Sequence, residues 1–136
     1  MKNILVIDDD DGILEALELI LQAEGYHVLS ASTAKQGFHL YRTEYPDLVL
    51  FDFMMPDLNG QDFLNAVRSH ERIERPTTPT AFILFSATSQ GQAKARELGV
   101  HWLGKPFEIY DLLDVVEQLI GRGQSTGELV AVGAGR

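Results

Sequence analysis

Five side chains with chemistry to offer each follow a short apolar run. Asp8 and Asp9 come after residues 4–7, as the first two of four consecutive aspartates, and Asp52 lies near the end of the run 48–53. Ser86 follows residues 81–85, and Lys105 comes just after residues 100–103. An ionised carboxylate that ends an apolar strand is costly unless a cation or hydrogen-bond donors meet it. Three carboxylates brought together also repel, and a hard divalent cation relieves that repulsion. An incomplete oxygen cage with room for water suits Mg²⁺. Beside such an ion a carboxylate can act as nucleophile towards phosphorus, giving an aspartyl phosphate. The ammonium of Lys105 and the hydroxyl of Ser86 would then meet the oxygens of the transferred group.

That chemistry requires a scaffold that gathers strand ends. Five apolar runs, at 4–7, 26–31, 48–53, 81–85 and 100–103, alternate with helix-like segments. Ile13, Leu14, Leu17, Ile20 and Leu21 mark one helical face, and Gly25 is placed to end it. Thr33 and Gln36 have capping-box spacing. Further helices are predicted to begin near residues 59–61 and carry Phe63, Leu64 and Val67, to run over about 90–98, and to run through Ile109, Leu112, Leu113, Val116, Leu119 and Ile120. Repeated strand–helix alternation implies βαβ units, so the predicted class is α/β. A flavodoxin-like, doubly wound (βα)5 domain with a parallel sheet in the order 2-1-3-4-5 satisfies the right-handed crossover rule. In that order strands 1, 3, 4 and 5 are neighbours. Asp8, Asp9 and Asp52 should then converge at the switch point, with Ser86 and Lys105 along the rim.

Composition narrows the function. The 136 residues carry a net charge of −9 and no cysteine. A single domain with no disulfide framework and no thiolate metal site follows. Residues 1–121 hold 9 of the 11 basic and 19 of the 20 acidic groups, a net of −10. Such a body repels a phosphate backbone, so direct nucleic-acid binding by this chain is not expected. The apolar start is too short for a signal peptide or a membrane span, which predicts a cytoplasmic protein with no membrane partner. The polar connection 71–80 contains Pro76 and Pro79, and residues 122–136 read as a flexible Gly-rich tail or the start of a linker, leaving 1–121 as the domain.

Four stretches together resemble the response-regulator receiver domain of two-component signal transduction, of the chemotaxis-regulator type. They are VIDDD, LFDFMMPDLNG, FSAT and LGKPF, each at its own strand end, and the likeness covers about residues 2–121. The resemblance implies a phosphoprotein switched by a histidine kinase or a phosphotransfer protein. Asp52 would be the phosphoacceptor. Asp9 would bind Mg²⁺ directly, Asp8 mostly through metal-bound water, and the Met54 backbone carbonyl would complete the metal shell. Ser86 and Lys105 would sense the phosphoryl group, and the Lys105–Pro106 bond would be cis. Trp102 stands at the position of the switch aromatic, where its indole is bulkier than the usual phenol ring. The fourth helix, fifth strand and last helix would form the output face that controls a partner or an output domain. A homodimer through that face is an expectation of the resemblance alone.

Blander readings apply to other residues. Asp10 and Asp11 read as turn and cap residues for the first helix, and Asp57 and Asn59 as turn and cap residues for the third. Met54 and Met55 read as pocket wall and core. His27, His39, His70 and His101 have no metal-ligand spacing and read as surface or sheet-edge residues. Two other functions compete with this one. A haloacid-dehalogenase-like phosphatase needs a second acid two residues after its nucleophile, and here Met54 occupies that place. A pseudo-receiver, an interaction module with a dead pocket, is disfavoured because all five site residues are present. The expected activity is therefore the chain's own phosphoryl transfer and autodephosphorylation, not that of an enzyme.

Overall fold

The computed structural model describes residues 2–73 and 79–123. Five strands, β1 (Asn3–Ile7), β2 (His27–Ala31), β3 (Leu48–Asp52), β4 (Ala81–Ser86) and β5 (His101–Gly104), alternate with five helices. These are α1 (Asp11–Ala23), α2 (Ala34–Glu44), α3 (Gly60–Ile73), α4 (Ser89–Leu98) and α5 (Ile109–Ile120). The sheet is parallel throughout, in the order β2-β1-β3-β4-β5. The doubly wound, flavodoxin-like expectation holds. The predicted tail 122–136 lies outside the described residues from 124 onward.

Alternation along each strand divides the core into two layers. Ile4 and Val6 of β1 join Leu14, Leu17 and Leu21 of α1 and Leu112 and Val116 of α5 on one face. Leu5 and Ile7 join Ala34 and Tyr41 of α2, Phe63 and Val67 of α3, and Ala95 of α4 on the other. A strand covered on both faces must be apolar at every position, which is why β1 and β3 read as unbroken runs. Burying one Leu or Phe side chain in such a layer contributes about 1.5–3 kcal/mol.

Local signals set the helix ends. Asp10 caps α1 by accepting hydrogen bonds from the Gly12 and Ile13 amides at 2.9 and 3.2 Å. Thr33 Oγ1 accepts from the Gln36 amide at 3.1 Å, while the Gln36 side chain reaches back to the Ser32 amide, one residue earlier than in a capping box. Asn59 caps α3 through the Asp62 amide at 2.9 Å. Gly99 ends α4 in the left-handed region, at φ 72°.

Two expectations needed revision. The connection predicted at 71–80 begins later, because α3 continues through Ile73, and residues 74–78 lie outside the described residues. Within that last turn Glu71 accepts a 2.6 Å hydrogen bond from the Tyr41 hydroxyl, tying α3 to α2. His70 is half-buried, unlike the exposed His27, His39 and His101, and packs edge-on against Phe38 and Tyr41 with ring centroids about 6 Å away.

Candidate functional site

The site forms where β1, β3 and β5 end together. Asp8 leaves β1 with its backbone amide bonded to the Ala31 carbonyl at 3.1 Å, which holds it beside the end of β2. Asp52 is the last residue of β3, and its partner on β4 is Phe85. The Lys105 amide donates to the Ser86 carbonyl at 2.9 Å, and the Lys105–Pro106 bond is cis. Backbone pairing thus delivers all three functional side chains to one end of the sheet.

Carboxylate oxygens of Asp8, Asp9 and Asp52 lie within 4.8 Å of one another. Asp8 is fully buried and Asp52 is 8% exposed, while Asp9 faces solvent. The Lys105 ammonium donates to Asp8 Oδ2 at 2.8 Å and stands 3.4 Å from Asp52 Oδ2, with the Phe85 ring 5.3 Å from it on another side. Asp52 Oδ1 is also 3.4 Å from the Met54 amide. Two buried acids and one ammonium leave the cluster with a negative excess before Asp9 is counted. Hard carboxylate oxygens gathered at one place form a donor set that fits a divalent cation of the Mg²⁺ type.

Electrostatics follow from that geometry. Burial pushes the Asp52 carboxyl up, the Lys105 ammonium pulls it down and Asp8 pushes it up again; it ends above the usual carboxylate value. Burial works against the Lys105 ammonium, but its hydrogen bond to Asp8 and the charges of Asp52 and Asp8 outweigh that, holding it above the ordinary lysine value.

Ser86 and Trp102 are placed differently from Lys105. Ser86 ends β4 and is 5% exposed, so it is an inner wall residue and not part of the rim. Its hydroxyl donates to the Thr88 carbonyl at 3.1 Å and accepts from the Trp102 indole Nε1 at 3.2 Å. The only hydrogen bonds of this hydroxyl among the described residues are these two, neither of them to the acidic cluster. Met54 exposes 68% of its surface beside the site, while Met55 is buried in the core.

Asp57 corrects an expectation. Its carboxylate caps α2, not α3: Oδ1 accepts from the Ala34 amide and Oδ2 from the Lys35 amide, each at 3.0 Å. Slight burial acts the other way, but these amides hold the Asp57 carboxyl below the usual range. Gly91 is a residue that sequence reasoning missed. It lies over Ser86, where a β-carbon would overlap the serine side chain.

The profile of the response regulator receiver domain family matches residues 4–117, and the chain belongs to that family. The transcriptional regulatory protein GltR of Pseudomonas aeruginosa is 32% identical over 126 residues, covering 92% of this chain and 51% of that protein. The probable transcriptional regulatory protein SilR of Salmonella typhimurium is 34% identical over 124 residues, covering 90% and 53%. The chain therefore spans about half the length of these curated relatives. Among solved structures, the receiver domain of Francisella response regulator 1452 superposes with a TM-score of 0.77 at 27% identity, over 88% of this chain and 97% of that one. A receiver domain protein from Clostridium thermocellum gives 0.76 at 27% identity, over 88% and 94%. The chain is thus a receiver domain of the two-component response regulators, a class suited to switching under phosphorylation control. Among the described residues no helix is long and apolar enough to cross a membrane.

Proposed function

We propose that this chain is a phosphorylation-activated signalling switch that accepts a phosphoryl group on Asp52 from a histidine kinase or phosphotransfer protein. The observation that carries this reading is the convergence of Asp8, Asp9 and Asp52 oxygens within 4.8 Å, with Lys105 contacting two of the three acids. A carboxylate oxygen of Asp52 forms a bond to phosphorus as the bond from phosphorus to the donor's imidazole nitrogen breaks. The electron pair leaves with that nitrogen, and Asp52 keeps the phosphoryl group. Asp9, Asp52 and the Met54 carbonyl would hold Mg²⁺, with Asp8 acting mainly through water. When bound, the ion supplies positive charge that offsets the phosphoryl oxygens.

The remaining steps belong to the chain itself. Lys105 exchanges contact with Asp8 and Asp52 for contact with a phosphoryl oxygen, its ammonium already standing between those acids and the Phe85 ring. Ser86 turns its hydroxyl from Thr88 towards the same group, which requires release of the Trp102 indole. That coupling carries the change to the α4-β5-α5 face, where Trp102, Phe107, Glu108 and Val115 line a groove of about 360 Å³. A partner protein or an output domain, or a second copy of the chain, reads that face. The chain catalyses only its own phosphorylation and dephosphorylation, in the cytoplasm.

The test is intact mass after incubation with Mg²⁺ and a small acyl phosphate. One phosphate adduct is expected, lost in Asp52→Asn and lost when the metal is chelated. No adduct at any donor concentration would leave an interaction module with a dead pocket.

A further inference from the structure

The segment 53–59, between β3 and α3, follows Asp52 directly, and its Met54 amide stands 3.4 Å from Asp52 Oδ1. Its ends are closed on each other by the Gly60 amide, which donates to the Phe53 carbonyl at 2.8 Å. Met55 is buried and Leu58 packs against the apolar layer. Between them Asp57 supplies a polar tie to a different element, the two 3.0 Å hydrogen bonds from the first-turn amides of α2.

This tie is more than α2 needs for its own sake. Thr33 already caps that helix through the Gln36 amide, and its carbonyl accepts from the Gly37 amide at 3.0 Å. Asp57 takes two first-turn donors that have no partner within the helix, the amide of the buried Ala34 and that of the exposed Lys35. Charge-assisted bonds at a helix N-terminus hold position well, because dipole and donors point the same way.

The path of connections shows what is being held. The Asp8 amide is bonded to the Ala31 carbonyl at the end of β2, and α2 begins three residues later. Asp57 therefore closes a ring that runs from Asp8 through Ala31 and the start of α2 back to the segment following Asp52. On the opposite side, the same two strand ends are spaced by the pairing of Ile7 with Phe51. We infer that Asp57 is a positioning residue for the metal site, holding the Met54 side of the cluster at fixed spacing from Asp8 and Asp9. The inference rests on the function proposed above.

Calorimetric titration of the full chain with MgCl₂, in about 0.2 M salt to screen distant charge, tests it. Asp57→Ala is expected to weaken Mg²⁺ binding about tenfold, as loss of a partner that orients a metal ligand typically does. Asp57→Asn loses the same charge but keeps an oxygen acceptor, and should stay within about threefold of the unmodified chain. Thr33→Ala removes the helix's own cap, so it should lower the melting temperature by a few degrees while leaving Mg²⁺ affinity unchanged. Affinity equal in Asp57→Ala and the unmodified chain overturns the inference, as does equal weakening in the Ala and Asn variants. Absence of Mg²⁺ binding by the unmodified chain overturns the proposed function itself, and this inference with it. A second measurement needs no variant. Coupling is reciprocal, so Mg²⁺ should slow hydrogen exchange at the Ala34 and Lys35 amides. Exchange there that ignores a bound metal also overturns the inference.

Discussion

The indole N–H of Trp102 donates a 3.2 Å hydrogen bond to Ser86 Oγ, across neighbouring strands. With the hydroxyl proton directed at the Thr88 carbonyl, the serine is engaged on both its donor and acceptor sides away from Asp52. Trp102 is thus a direct restraint on the residue proposed to turn towards the phosphoryl group. Glycines make room for it. A β-carbon at Gly104 would overlap the indole ring, and Gly91 borders its nitrogen.

Replacing the indole with phenyl keeps an aromatic ring and removes the N–H together with part of the fused ring system. One hydrogen bond is worth about 1 kcal/mol net, so Trp102→Phe should speed phosphorylation by a small acyl phosphate about fivefold. The measurement is the initial rate by intact mass. In a Ser86→Ala background the gain should vanish, since there is no hydroxyl left to release. An unchanged or slower rate in Trp102→Phe would show that the bond does not restrain the switch.

Gly91→Ala sets two effects against each other. Alanine is favoured over glycine in a helix by up to about 1 kcal/mol. At this site, however, the new methyl would overlap Ser86 Oγ and Cβ, both buried beneath the first turn of α4. Overpacking of that kind costs about 1–3 kcal/mol, so urea denaturation should show a net loss of stability. A more stable variant would mean that α4 shifts outward at little cost.

Lys105→Ala removes the ammonium that meets both buried acids. Without metal, Asp8 is left fully buried beside Asp52 with no cation, and the variant should lose about 3 kcal/mol of stability. Mg²⁺ then takes over the role of the missing charge. Its affinity should hold or rise, and the melting temperature should climb more on Mg²⁺ addition than in the unmodified chain. A large drop in Mg²⁺ affinity would contradict the division of labour between lysine and metal. Signalling through the output face should be lost in either case.

How much of this was visible in sequence depends on the range of the interactions. β1 and β3 were legible because a strand covered on both faces leaves no polar position, as Ile4–Ile7 and Leu48–Phe51 show. Once strand order followed from the alternation, the meeting of Asp8, Asp52 and Lys105 followed as well, since parallel strands bring the same ends together. The turn of Ser86 was not legible: its rotamer answers to Trp102 on the next strand and Gly91 in the next helix. Asp57 looked like a cap for the nearest helix because its real partners, Ala34 and Lys35, lie 23 and 22 residues back along the chain. His70 read as a surface residue because nothing near it in sequence announces the Phe38 and Tyr41 rings of α2.

Asp52 makes the metal-free fold sensitive to pH in a predictable direction. Burial, with Asp8 adding to it, holds its folded carboxyl above the ordinary value of 3.8 despite the pull of Lys105. The folded state therefore binds that proton more tightly than the unfolded chain does, and ionised Asp52 is a cost to folding. The cost is fully present above the folded pKa, shrinks as pH falls through it, and is gone once the unfolded carboxyl is protonated as well. Asp52→Asn removes the charge at nearly constant shape, so at neutral pH and without metal it should melt higher than the unmodified chain. Melting curves across acidic pH should show that advantage narrowing towards 3.8. Saturating Mg²⁺ should reverse the order, because the ion stabilises only the chain that still carries the third carboxylate. A variant less stable than the unmodified chain at neutral pH, or a gap that does not change with acidification, would mean that Lys105 fully compensates the buried charge.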